Sequence, residues 1–172
     1  VKVVIQDASV LIDLADCGLL DVWFGCGFDL RTTSLVLREV IRNNQKLHLQ
    51  HYLDSGQLGV ETASGEILAE IALLMTTLSA RLSIQDTSAI FFADKLQSIL
   101  LTGDRKLREY AVGRGVETHG LLWVFDTLVA RGVLAPTVAA DRLEWLRDQG
   151  TSRLPHHECE VRIKRWRRTA SN

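Results

Sequence analysis

Asp7 and Asp104 each follow directly on a short, strongly apolar run, VKVVIQD and SILLTGD. Two further acids, Glu39 in LREVI and Asp86 in SIQDTS, lie within or at the start of segments with helical character. A carboxylate just beyond a buried strand has two uses. It can cap the next helix by accepting from the free N–H groups of the first turn, and singly Asp7, Asp86 and Asp104 all suit that role. Glu39 alone would be an ordinary surface acid. Jointly they suit another role, because open α/β sheets bind ligands beyond the carboxyl ends of their strands, where the strand order reverses. Four acids drawn from such positions would face one cleft. Ser9 and Thr102 stand two residues from Asp7 and Asp104, where a hydroxyl can cap in their stead or orient a carboxylate from behind.

Clustered carboxylates repel one another, and each partly buried anion is costly unless a cation sits among them. An all-oxygen donor set suits Mg²⁺ or Mn²⁺ better than zinc. Such an ion would activate a water for attack and neutralise charge on a phosphate, and it would bridge an acidic site to a polyanion. His156, His157 and Cys159 share one short segment with no second ligand cluster, which is poor spacing for zinc. FGCGF lacks the strand-then-helix setting of a dinucleotide loop, and TGDRK lacks the Gly-rich approach and Lys-Ser/Thr pair of a P-loop.

The elements that must position these acids alternate. The β-branched run ending at Asp7 predicts a strand, ASVLIDLADCG a helix stopped by Gly18, FDLRTT a weaker strand, and SLVLREVIRN a helix capped by Ser34. NNQKLHLQHYLDSGQ is ambiguous, with helical character up to Asp54, and LGVET predicts a third strand. Ile67, Ile71, Leu74 and Leu78 share one helical face, and a second helix starts between Ser83 and Asp86. SILLTGD predicts a strand, RKLREYAVGRG a helix, GVETH a last short strand, and LLWVFDTLVARG a helix ending at Gly132, with Trp123, Phe125 and Leu128 as core. Pro136 interrupts the chain before the helix TVAADRLEWLRDQG. This order predicts a parallel sheet with helices on both faces.

The 172 residues suit one compact unit with a real core. Hydrophobic residues make up 47% and charged residues 24%, a globular rather than a disordered balance. The net charge of -1 gives no overall attraction to nucleic acid, so any such attraction must be local. The one strongly basic stretch is the tail HHECEVRIKRWRR, where Arg162, Lys164, Arg165, Arg167 and Arg168 accompany Trp166. Basic and aromatic groups so mixed can contact phosphates and stack bases, and they equally suit a solvated helix or an oligomer contact. Three cysteines without an even framework predict a reduced, cytoplasmic protein. No apolar run reaches the roughly 18 residues of a membrane span, so no membrane partner is expected.

The acids and their surroundings resemble the PIN-domain family. DASVLIDL, Glu39 in LREVI, Asp86 in DTSAIFFADK and Asp104 in TGDRKL look like that family's four acidic motifs, in its order and at its spacing. GVETHGLLWVFDTLVARGVL is similar to the strand and helix that follow the fourth acid in bacterial and archaeal members. The resemblance covers about residues 1 to 135 and implies a three-layer α/β/α sandwich with a central parallel sheet. Residues 136–172 would be a helical extension with a basic tail, packed on the same unit. The resemblance also implies metal-dependent cleavage of RNA, with Asp7, Glu39, Asp86 and Asp104 as metal ligands and catalytic groups and Mg²⁺ or Mn²⁺ as cofactor. Many members resemble VapC, the toxin half of a toxin–antitoxin pair, and imply a homodimer silenced by a small antitoxin protein. The extension after Pro136 departs from that compact toxin pattern.

Ser9 and Thr102 are expected to support the acids, while Arg105 and Lys106, directly after Asp104, are expected to reach substrate phosphates or to be solvated charges. Two other readings stay open. In an acidic-site phosphatase Asp7 would be the nucleophile, but Ser9 stands where the second aspartate of such sites is wanted. A non-catalytic PIN-like module would bind nucleic acid without cutting it.

Overall fold

The computed structural model describes residues 1–42, 46–78, 82–149 and 152–169. Five short strands, β1 (Val3–Gln6), β2 (Asp29–Thr33), β3 (Gly59–Glu61), β4 (Ile99–Leu101) and β5 (Thr118–His119), form one sheet in the order β3-β2-β1-β4-β5. All four pairings are parallel. Val4 lies opposite Leu30 on one side and Ile99 on the other, which places β1 at the centre with β4 beside it.

Alternation along the strands sends successive side chains to opposite faces, and both faces are covered. Val4, Leu30, Ile99 and Leu101 enter one buried cluster, with α1 (Ala8–Asp16), α2 (Leu20–Phe24) and α8 (Leu121–Ala130). Ile5 and Leu100 enter the other, with α5 (Gly65–Thr77), α6 (Ile84–Lys95) and α7 (Arg105–Gly113). α3 (Ser34–Arg42) and α4 (Lys46–Asp54) follow β2. The result is a three-layer α/β/α sandwich around a parallel sheet.

Three local features differ from the sequence expectation. Thr33, not Ser34, caps α3: its hydroxyl accepts from the Val36 N–H at 3.1 Å, while Ser34 Oγ accepts from the Ala63 N–H. α2 was not anticipated, because five residues are too few to show a period. Pro136 does not break the chain but is the first residue of α9 (Pro136–Gln149), a position where its missing N–H is harmless. The ambiguous segment after α3 is helical over Lys46–Asp54, and residues 43–45 lie outside the described part.

The basic tail is a helix, α10 (His156–Thr169), packed along α9. Cys159, Ile163 and Trp166 are buried in the cluster that holds Phe125 and Leu143, and the Trp166 and Phe125 rings stack 6.2 Å apart. Trp166 is therefore a core residue and does not offer a face for base stacking. Arg162 and Arg165 both pair with Asp126, and Arg167 pairs with Glu144. Most of the tail's cations thus fasten α10 to α8 and α9.

Candidate metal and nucleic-acid site

The sheet reverses its strand order between β1 and β4, since the chain leaves β1 for β2 on one side and returns through β4 on the other. A crevice at the carboxyl ends of these two strands is the expected ligand position. Asp7 and Asp104 stand there. The Asp7 N–H extends the ladder by donating to the Leu101 carbonyl at 3.0 Å. Its side chain, only 6% exposed, receives two hydroxyls on one oxygen: Thr102 Oγ1 donates to Oδ2 at 2.8 Å and Ser9 Oγ at 2.9 Å.

Each hydroxyl is also an acceptor. Thr102 Oγ1 takes the Asp104 N–H at 3.0 Å, and Ser9 Oγ takes the Gly103 N–H at 3.0 Å. The two side chains therefore lock the β4–α7 turn onto the end of β1. Gly103 suits this approach, because a Cβ there would meet Ser9 Oγ at 3.2 Å. Asp104 is exposed and caps α7, its Oδ1 accepting from the Leu107 N–H at 2.9 Å.

Asp86 and Glu39 come from the neighbouring helices. Asp86 completes a capping box with Ser83, whose backbone N–H and hydroxyl both donate to Asp86 Oδ2, at 3.0 and 2.7 Å. Thr33, at the end of β2, positions both helices. Besides capping α3, its buried hydroxyl meets Ser88 Oγ of α6 at 2.7 Å. Ser88 in turn donates to the Gln85 carbonyl, so the Thr33 hydroxyl is the donor to Ser88.

Electrostatics ties three of the acids together. Burial pushes the Asp7 carboxyl above its ordinary pKa, and the Asp86 charge adds to that rise against the two hydroxyls. Glu39 is raised by burial, then by the charges of Asp7 and Asp86. Asp104 is joined to Asp7 through Thr102. Asp7, Glu39 and Asp86 thus lie close enough to act on one another's charge, and the Asp104 backbone is tied to Asp7 through the Thr102 hydroxyl. Among the described residues no three His, Cys, Asp or Glu side chains form a ready metal cage. Asp86 and Asp104 each have an oxygen engaged in a helix cap.

The donor set nonetheless fits a hard divalent cation. It consists of carboxylate oxygens, and its most buried member is an anion whose charge is disfavoured by burial and by Asp86. A cation between Asp7, Glu39 and Asp86 would offset both penalties.

Of the cations expected to reach substrate, Arg105 pairs with Glu109 at 2.8 Å on the exposed side of α7, and Lys106 is exposed. Arg108 was not singled out from the sequence. Its Nη2 donates to the Thr102 carbonyl at 3.0 Å, which brings the guanidinium back over the edge that holds Asp7 and Asp104. The signal was its spacing: Arg108 is four residues after Asp104, on the same helical face. The aromatic pair beside it, His119 stacked on Trp123 at 4.5 Å, was also missed, since Trp123 reads simply as core. A surface concavity lies along α10 between Val161, Lys164, Arg165 and Arg168, away from the acids. The chemistry of the acidic residues is what marks the site.

The fold and the acids at its switch point define a class of parallel α/β/α sandwiches with an acidic edge. The PIN-domain family model matches residues 3–168, and the chain belongs to that family. The match runs through α9 and most of α10. PIN domains are generally nucleases that use divalent metal ions and bind nucleic acids. A solved PilT N-terminus domain protein from the hyperthermophilic archaeon Sulfolobus solfataricus shares the fold, with a TM-score of 0.51 and 15% identity over 75% of this chain and 92% of that one. No curated protein sequence matches the chain. Among the described residues no helix is long and apolar enough to cross a membrane.

Proposed function

We propose that this protein is a divalent-metal-dependent endoribonuclease whose site is Asp7, Glu39, Asp86 and Asp104. The observation that carries the reading is Asp7: a buried carboxylate at the β1/β4 switch point, fixed by Ser9 and Thr102 and repelled by Asp86. A structural cap needs none of this. Asp7 precedes α1 yet makes no side-chain cap bond to it, so the capping reading that fits Asp86 and Asp104 does not account for Asp7.

In this reading Asp7, Glu39 and Asp86 hold Mg²⁺ or Mn²⁺, with Asp104 as the fourth acid. When bound, the ion supplies Lewis acidity for in-line attack of water on phosphorus and neutralises charge on the phosphate. The chain's own groups position the reaction. Thr102 and Ser9 restrain Asp7 through Oδ2, and Thr102 sets the distance between Asp7 and Asp104. The Thr33–Ser88 contact holds α3 and α6 in register, and with them Glu39 and Asp86. The products are a 5′ phosphate and a 3′ hydroxyl.

The toxin role, a small antitoxin partner and a homodimer belong to the same proposal, supported by family membership. Leu68 and Met75, exposed seven residues apart on one side of α5, mark the surface we propose for such a partner or second copy. Residues 136–172 are proposed as part of the same folding unit, since Cys159, Ile163 and Trp166 enter the cluster that holds α1 and α8.

The test is incubation of the purified chain with end-labelled RNA in Mg²⁺, Mn²⁺ and excess chelator, beside Asp86→Asn. Cleavage that needs the metal and vanishes in the variant supports the reading. Binding without cleavage in either metal would favour a non-catalytic module. Hydrolysis of a phosphate monoester without nuclease action would favour the phosphatase.

A further inference from the structure

Arg108 is placed where neither fold nor core requires a cation. It lies on the exposed side of α7, and its guanidinium turns back to the sheet edge, where Nη2 donates to the Thr102 carbonyl. Thr102 is the residue whose hydroxyl joins Asp7 to Asp104, so the positive charge sits one residue from the acids. Some exposed arginines of this chain are paired with acids, Arg105 with Glu109, Arg114 with Asp94 and Arg165 with Asp126. Among the described residues no carboxylate lies within ion-pair distance of Arg108. One N–H group holds the guanidinium in place, and the remaining edge of the fork is open to an acceptor.

Gly120 makes room for it. A Cβ at Gly120 would stand 2.6 Å from Arg108 Nη2. The backbone at Gly120 is extended, with φ -114° and ψ -175°, a conformation open to any residue. The turn does not require the glycine, and its missing Cβ leaves the space in which the arginine end sits.

We infer that Arg108 is the phosphate-contacting residue of this site, seated by Thr102 and Gly120 to take a non-bridging oxygen of a single-stranded RNA backbone beside the acids. This rests on the nuclease reading above. A planar fork suits phosphate better than an ammonium does, and a fixed cation at the rim draws a polyanion towards a site whose acids repel it. The fork reads no base, so the contact predicts affinity without sequence preference.

The test is fluorescence anisotropy of the full chain with a labelled single-stranded oligoribonucleotide across a salt series, with Ca²⁺ replacing Mg²⁺. Arg108→Ala is expected to weaken binding about tenfold and to reduce the slope of log K against log salt by about 0.7. Gly120→Ala, which displaces only the end of a flexible side chain, is expected to reproduce part of that loss and to add nothing in the Arg108→Ala background. If Arg108 merely braces the β4–α7 turn, both variants will lower the melting temperature and leave the salt slope unchanged, which overturns the inference. Failure of the wild type itself to bind RNA removes the nuclease reading and this one with it. Wild-type binding matched by Arg108→Ala removes this one alone.

Discussion

Asp7→Asn separates a ligand from a structural carboxylate, because the two roles predict opposite changes in stability. Asn keeps an oxygen able to accept from Thr102 and Ser9, so the hydrogen bonds at 2.8 and 2.9 Å survive. What it removes is a buried charge that burial and Asp86 both disfavour. In chelator the variant is therefore expected to be more stable than the wild type. Relief of a strained functional site typically gains about 0.5–2 kcal/mol, or roughly 2–4 °C per kcal/mol at this chain length. The metal arm runs the other way. An ion at a hundred times its dissociation constant stabilises the native state by about 2.7 kcal/mol, so Mn²⁺ should raise the wild-type melting temperature by roughly 5–10 °C and the variant's hardly at all.

The pH dependence fixes the sign independently. Asp7 and Glu39 have native pKa values raised above their ordinary ones, so over that interval the native state holds more protons than the unfolded state. Stability in chelator then falls as pH rises through the native pKa values, and below about 4, where both states are protonated, the difference disappears. The advantage of Asp7→Asn should accordingly grow as pH rises above about 4 and vanish in acid. Differential scanning fluorimetry with chelator or Mn²⁺, from pH 4 to 8, reads all of this. An Asp7→Asn protein that melts lower in chelator at pH 7.5 and keeps the whole Mn²⁺ shift would refute the argument.

Three further perturbations test the supports around the acids. Thr102→Val keeps the shape but strips one donor from Asp7 and the acceptor from the Asp104 N–H; it should lose about 1–3 kcal/mol of stability and about 10- to 100-fold in metal affinity, read by titrating Mn²⁺ against the melting temperature. Trp166→Ala empties a buried ring site and should destabilise by about 3–5 kcal/mol while leaving the salt slope of RNA binding unchanged, which separates a core role for α10 from a nucleic-acid one. Asp13 is pushed up to about 6 by burial, with Asp16 adding to it; Asp13→Asn should stabilise by on the order of 1 kcal/mol at pH 8, after discounting for its partial exposure, and the gain should fade as pH drops through 6 towards 4.

The fold was legible wherever apolar periodicity was long enough to be read. β1 and β4 announce themselves as buried runs ending in carboxylates, and Ile67, Ile71, Leu74 and Leu78 mark the inner face of α5. α2 was not legible, since Leu20–Phe24 is a single turn between Gly18 and Gly25 and its period cannot be counted. The α3 cap was misplaced by one residue because Thr33 and Ser34 are both capping types, and only the tertiary contact with Ser88 decides which hydroxyl faces inward. The tail misled through composition: Arg162, Arg165, Arg167 and Trp166 look like a nucleic-acid strip until Asp126 and Glu144 are found opposite them.

The site was legible in kind and not in arrangement. Residue type and position after strands point to the acids, and Ser9 and Thr102 follow from their proximity in sequence. That both hydroxyls would converge on one oxygen of Asp7 does not follow, because it depends on β1 and β4 lying side by side. The same adjacency gives Arg108 its position. Reading along the chain favours Arg105 and Lys106 as the cations next to Asp104, whereas helical geometry carries them outward and brings the residue one turn later back over Thr102. A cation meant to meet substrate beside a carboxylate at a helix N-terminus is therefore better sought at the fourth residue than at the first, provided that a backbone carbonyl anchors it and a small residue gives it room. Here Thr102 and Gly120 supply both conditions.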